Sequence, residues 1–166
     1  MGGNVLKLNL LLDNKNGQLS GFTNIDVMTP DDKDFEDLRV RGDVTPLSWI
    51  CDNGECEELI ARHILCYFPI ASIGAILSGW ITKIAKGGLI TIEETDVELA
   101  SYALVTGKID PKEFQRIIYG GQSKKWDVKK SGLTTHTIID FLEGSGFKIL
   151  KKRLNDLNFV VQAVRL

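Results

Sequence analysis

The chain has 166 residues, the length of one domain with a single core, and at this length a core needs no disulfide or metal to hold it together. Hydrophobic residues make up 43% and charged residues 25%, which excludes disordered, collagen-like and fibrous classes. Lys plus Arg number 20 against 22 for Asp plus Glu, and the resulting net charge of −2 supplies no global field for coating nucleic acid.

Residues 6–12 alternate, with Leu6, Leu8, Leu10 and Leu12 on one face and Lys7, Asn9 and Leu11 on the other, so a strand is expected. The turn residues Asp13-Asn14-Lys15-Asn16-Gly17 end it, and a second strand is expected over 22–26. Residues 28–37 are acidic and polar and read as a solvated loop. A short third strand over 38–40 runs into Gly42-Asp43, and a fourth covers 58–64. The uncharged stretch 64–82 is long enough to be compared with a membrane span, but it contains Pro69, Gly74 and Gly79. Its large apolar residues, Ile73, Ile76, Leu77, Trp80, Ile81 and Ile84, instead fall on one face of a buried helix that begins at Pro69.

Gly87-Gly88 are expected to stop that helix, with a strand following over 89–93. Thr95-Asp96-Val97-Glu98 has the form of a capping box and opens a helix with Val97, Ala100, Ser101 and Leu104 inward, ending at Gly107. Asp110, Pro111 and Glu113 open another, packing Phe114, Ile117 and Ile118 and stopping at Gly120-Gly121. The last helix starts at Thr134 or Thr135, buries Ile138, Phe141 and Leu142, and ends at Gly144. Strands over 147–154 and 159–164 are close enough to form an antiparallel hairpin. Strands alternating with helices give an α/β domain over 1–166 with a mostly parallel sheet.

In an open parallel sheet, ligands bind beyond the carboxyl ends of the strands. Asp26 ends the second strand, where a carboxylate can accept hydrogen bonds from both hydroxyls of a ribose. Asp43 could accept from an exocyclic amine in the same way, and each of these acids also suits a turn. His63 reads either as a base or as a satisfied strand-end histidine. Cys51, Cys56, His63 and Cys66 have spacings that match no common zinc motif, so no metal site is expected. Three cysteines form no disulfide framework and fit a reducing, cytoplasmic setting; the N-terminal apolar stretch is too short and interrupted for a signal peptide. Lys124, Lys125, Lys129 and Lys130 around Trp126 form a basic, aromatic cluster that could hold an acidic group or stand solvated.

The pattern Lys-Leu-Asn-Leu at 7–10, Gly-Phe-Thr-Asn-Ile-Asp at 21–26, Gly42-Asp43, Ala-Arg-His-Ile-Leu at 61–65, Trp80 with Lys-Gly-Gly-Leu-Ile-Thr-Ile at 86–92, and Gly146-Phe147 resembles a small branch of the class I S-adenosylmethionine (SAM)-dependent methyltransferases. Tyr-Gly-Gly-Gln at 119–122 and Lys-Ser-Gly at 130–132 match a segment that some members carry on the substrate side. The resemblance implies a Rossmann-like, seven-stranded, mostly parallel sheet with a C-terminal antiparallel hairpin, and SAM as cofactor. It places Asp26 at the ribose, Asp43 at the adenine, Asn9, Leu11, Asp13 and Asn14 at the methionine side, and His63 or Tyr67 toward a small-molecule or glycan acceptor. Nucleic acid and membrane are not among the implied partners. Leu11 and Asp13 stand where the family has the glycines of Gly-x-Gly, and Cys66 and Tyr67 replace an acid and a second histidine after the fourth strand. The alternative reading is therefore an inactive methyltransferase-fold module for binding or assembly. Only residues 13–21 separate the first two strands, although a parallel crossover takes at least about 10–12 residues, so the first helix is expected to be reduced or missing.

Overall fold

A computed structural model describes residues 5–166. The alternation in β1 (Leu6–Leu11) sets the sheet, because Leu8 and Leu10 share a face with their register partners Leu59 and Ala61 on β3 (Cys56–Arg62). The same row continues through Ile90 and Ile92 on β4 (Ile84–Thr95) to Ala163 and Val161 on β6 (Asn158–Arg165). All eight are buried in the core. Two helices cover this face: α1 (Ile70–Lys83) contributes Ile73, Ile76, Leu77 and Trp80, and α4 (Thr135–Gly144) contributes Ile138 and Leu142.

The sheet order is β2-β1-β3-β4-β6-β5, with β2 spanning Thr23–Asp26 and β5 spanning Phe147–Asn155. The first four strands are parallel, while β6 runs antiparallel to both neighbours and forms the expected hairpin with β5. There are six strands rather than seven. The segment at 38–40 shrinks to one bridge between Val40 and Ile25, because the Leu38 and Arg39 N–H groups are taken by the side chains of Gln18 and Asp37. The crossover from β1 to β2 holds one short helical turn, Lys15–Gly17, so the first helix is reduced as its length predicts.

Three expectations are corrected. First, Gly87-Gly88 do not stop α1, which ends at Lys83; they lie inside β4, where the register against β3 shifts. Gly87 has φ +78°, and a Cβ on Gly88 would come within 2.9 Å of the Ala85 carbonyl oxygen, so the pair forms a bulge. Second, Asp96 rather than Thr95 caps α2 (Val97–Val105), accepting from the Glu98 and Leu99 N–H groups, and Ala103 rather than Ser101 turns inward. Third, Phe114, Ile117 and Ile118 of α3 (Pro111–Tyr119) stay half-buried, since this helix packs on α2 and not on the sheet. Its Asp110 cap and its stop at Gly120, φ 87°, are as expected. No helix among the described residues is long and apolar enough to cross a membrane.

Candidate functional site

The carboxyl ends of β1, β3 and β4 converge on a cavity of 360 Å³, lined among others by Asn9, Leu11, Asp13, Asn14, His63 and Tyr67. Six of the eight expected site residues are thus brought together, while Asp26 and Asp43 are not part of this lining. A second cavity of 420 Å³ lies beside it, walled by α3, Lys129 and the β5–β6 turn. His63 and Tyr67 line both.

Asp26 is completely buried. Its Oδ1 accepts from the backbone N–H groups of Asp13 and Met28, both at 2.9 Å. Its Oδ2 accepts from the Asn14 N–H at 3.1 Å and from Arg39 Nη1 at 2.9 Å. A carboxylate has about four acceptor positions, and all are occupied from within the chain. Arg39 is itself buried and also binds Asp37 through Nε and Nη2. These bonds raise the Arg39 pKa and hold the Asp37 carboxyl down at about 2. The Asp37-Arg39-Asp26 chain was hidden in the sequence because Leu38–Val40 reads as a strand, in which Asp37 and Arg39 would simply share a face.

The rest of the β1 end is equally committed. Asn9 Nδ2 donates to the Gly17 carbonyl at 2.9 Å and to Asn24 Oδ1 at 2.8 Å, tying the β1–β2 crossover down onto the sheet. Leu11 is 5% exposed, and Gly17 sits so close that a Cβ there would be 2.9 Å from Leu11 Cδ2. Asp13 takes φ 48°, the left-handed conformation a glycine adopts without steric cost, and its side chain pairs with Lys124. Asp43 lies away from the cavities and caps its own turn, accepting from the Thr45 N–H and hydroxyl at 2.8 Å.

On the acceptor side, His63 also has a left-handed backbone, φ 53°, and its Nε2 is 3.5 Å from Glu93. Burial lowers its pKa below 6.5, with Lys129 pushing the same way and Glu93 opposing, so it is neutral at pH 7. Tyr67 donates to Asp127 Oδ1 at 3.2 Å and packs edge-on to Trp126; burial raises its pKa. The basic cluster closes over this region: Lys124 lies 5.5 Å from the Trp126 ring, and Lys129 donates to the Ile117 carbonyl. Beneath the His63–Tyr67 turn, the buried Glu94 accepts the Ile64 and Leu65 N–H groups on Oε1, at 2.8 and 2.7 Å, while Oε2 has no partner. Burial pushes its pKa up to about 7. Glu94 escaped the sequence reading because it falls one residue beyond the strand predicted over 89–93. Among the described residues no three His, Cys, Asp or Glu side chains gather as metal ligands.

No family model and no curated protein matches the sequence. Solved structures match its fold. A SAM-dependent methyltransferase from Mesorhizobium loti superposes with a TM-score of 0.61 at 13% identity, covering 99% of this chain and 94% of that one. The chain has the class I methyltransferase fold. A SAM-dependent methyltransferase from Archaeoglobus fulgidus gives 0.59 at 13% identity, over 96% of this chain and 86% of that one. The magnesium protoporphyrin IX methyltransferase of Synechocystis, with bound S-adenosylhomocysteine (SAH), gives 0.58 at 13% over 98% and 76%. At Asp26, the position that the sequence resemblance gives to the ribose, Asp13, Asn14, Met28 and Arg39 already fill the acceptor positions that a ribose would need. In this arrangement the residues present do not fit the cofactor.

Proposed function

We propose that this chain is a methyltransferase-fold module for binding or assembly that uses neither SAM nor a methyl-transfer step. The observation that carries the reading is the fourfold engagement of Asp26, supported by Leu11 and Asp13 at the glycine positions. The cavity at His63 and Tyr67 remains as a pocket for a small polar molecule, with Asp127, Lys129 and Asn158 as its hydrogen-bonding walls. The three free thiols, Cys51, Cys56 and Cys66, suit a reducing compartment such as the cytoplasm. Calorimetric titration of the purified chain with SAH tests the reading. No heat and no thermal shift at millimolar ligand is the expected result, and saturable binding lost in Asp26→Asn overturns it. One observation favours a second reading, methyl transfer to a small-molecule or glycan acceptor: His63 and Tyr67 stand between two cavities, where a donor and an acceptor would meet. Transfer of label from methyl-labelled SAM to any acceptor would select it.

A further inference from the structure

An open sheet has two edge strands, and each carries backbone N–H and C=O groups that point away from its one neighbour. Here the edges are β2 and β5. The β2 edge is occupied: the Asp26 N–H donates to the Val40 carbonyl at 3.0 Å and the Val40 N–H to the Asn24 carbonyl at 2.7 Å, so the chain around Val40 lies along it. The β5 edge is open. β6 takes its inner side from Phe147 to Asn155, and no backbone group from elsewhere in the described residues bonds its outer side.

What distinguishes β5 is its charge. Lys148, Lys151, Lys152 and Arg153 are all exposed, and none has a carboxylate partner among the described residues. The only acid of the hairpin, Asp156 at its turn, pairs with Lys108. Residues 148 and 151 are an odd number apart and would point to opposite faces of a regular strand. The register shift between Ile149 and Lys151 changes this: Lys148, Lys151 and Arg153 stand opposite Val164, Gln162 and Val160, alternate residues of β6, and therefore share one face. It is the face away from α1 and α4, where Lys151 and Arg153 line a shallow polar cavity whose own acids, Glu58 and Glu93, are held by Lys7 and Arg62. On the other face Lys152 is followed by Leu154, half-exposed opposite the buried Phe159.

These features select the occupant. A second copy of β5 is disfavoured, because pairing this strand with itself about a twofold axis sets cations against cations. Single-stranded nucleic acid is held by stacking on aromatic rings as well as by charge, and the aromatics of the hairpin, Phe147 and Phe159, are buried. An extended acidic peptide meets each requirement: its backbone bonds the open edge, its acids on one face lie beside Lys148, Lys151 and Arg153, and its apolar residues on the other lie beside Leu154. Side chains two positions apart on a strand repeat at about 6.6 Å, so acids at alternate positions keep step with Lys151 and Arg153. We propose that β5 is a docking edge that takes an extended acidic segment of a partner protein as an additional strand of the sheet.

Such an edge gives the binding half of the proposed function its partner and rests on that reading, while standing apart from the cofactor half. Calorimetric titration of the intact chain at low salt with the capped peptide acetyl-Glu-Val-Glu-Val-Glu-Val-Glu-amide should show saturable binding that weakens as salt rises. The double variant Lys151→Glu/Arg153→Glu should bind it at least about tenfold more weakly, and should take instead the peptide with Lys at every Glu position. Both substituted side chains are exposed, and circular dichroism melts check that the variant folds. A second arm changes the peptide and not the protein. N-methylation of the Glu residues in one peptide and of the Val residues in another leaves every charge in place, and the set whose N–H groups face β5 should lose at least about tenfold in affinity. No saturable binding to the wild-type chain, an unchanged affinity in the reversal variant, two N-methylated peptides that both bind as well as their parent, or an oligothymidylate that binds more tightly than the peptide overturns the proposal. SAH titrated into the same samples keeps the two readings apart, because Asp26 lies on β2, at the opposite edge of the sheet.

Discussion

At the β2–β1 edge the chain is held by polar bonds to a few buried side chains, whereas the β4–β6–β5 side is held by interlocked apolar ones. Asp26, Arg39, Asp37, Asn9 and Asn24 do at the first edge what Ile92, Trp80, Ile138, Leu142 and Phe159 do on the other. The difference teaches where the fold tolerates change. An apolar contact is lost in proportion to its area, but a buried charge that loses its partner leaves the other charge uncompensated. The edge with the fewest helices is therefore the one most exposed to single substitutions.

Arg39→Ala should break the polar edge most severely, because it strips both Asp26 and Asp37 of their counter-charge. A loss of about 3–5 kcal/mol in urea unfolding at pH 7 is expected. A loss below about 1 kcal/mol would show that backbone N–H groups alone suffice for these acids. The same edge has a pH signature. With the Asp37 carboxyl at about 2, below its ordinary 3.8, its stabilising contribution is present above pH 3.8 and lost as the pH falls toward 2.

The regular half contains one polar exception, with the opposite sign. Glu94 has a folded pKa of about 7 against 4.5 in the unfolded chain, so the folded form holds a proton that the unfolded form has released between those values. Its contribution to stability falls as pH rises through that window. Glu94→Gln keeps an oxygen for the Ile64 and Leu65 N–H groups and carries no charge. It should stabilise the protein by about 3 kcal/mol at pH 8, the gain vanishing below pH 4.5. A gain that persists at pH 4 would mean that the charge on Glu94 is not its source.

The regular elements were largely legible in the sequence because they obey local rules. The alternation from Leu6 to Leu11, the helical spacing of Ile73, Ile76, Leu77 and Trp80, and the caps at Asp110 and Thr134 each depend on residues a few positions apart. The polar network of the β2–β1 edge was not, because its partners are distant or side chain to backbone: Asp26 meets Arg39 across 13 residues, and Gln18 takes the Leu38 N–H across 20. Asp26 was read as a ribose ligand at the end of the second strand, and its engagement with the chain itself could not be read from a turn-rich loop. The bulge at Gly87-Gly88 misled for a related reason, since a glycine pair after a helix serves a cap or a bulge equally, and only pairing with β3 decides between them.

Within the apolar half, Trp80→Phe separates packing from hydrogen bonding. Trp80 is fully buried and its Nε1 donates to the Val44 carbonyl at 2.8 Å. Phenylalanine leaves that carbonyl unpaired and a small void, so a loss of about 2 kcal/mol in thermal or urea unfolding is expected. A near-zero effect would show that water reaches Val44 and that this half is less tightly closed than its burial implies.

The smallest effect is expected at Asp13, and it tests what the polar edge has kept from a glycine-bearing loop. Asp13 sits at φ 48°, where a Cβ costs on the order of 1 kcal/mol relative to glycine, while its ion pair with Lys124 is half-exposed and contributes less than about 1 kcal/mol. Asp13→Gly removes both terms, and it also loosens the unfolded chain, which opposes the gain. The net change in unfolding free energy should stay within about 1 kcal/mol of zero. More telling is what it should leave unchanged. Even combined with Leu11→Gly, which clears the side chain beside Gly17, it should not create SAH binding, because the Asp13 and Asn14 backbone N–H groups still hold Asp26 whatever side chain position 13 carries. Saturable SAH binding by the double-glycine variant would locate the obstacle in two side chains and not in the polar network, and the contrast between the two halves of the sheet would then lose its functional meaning.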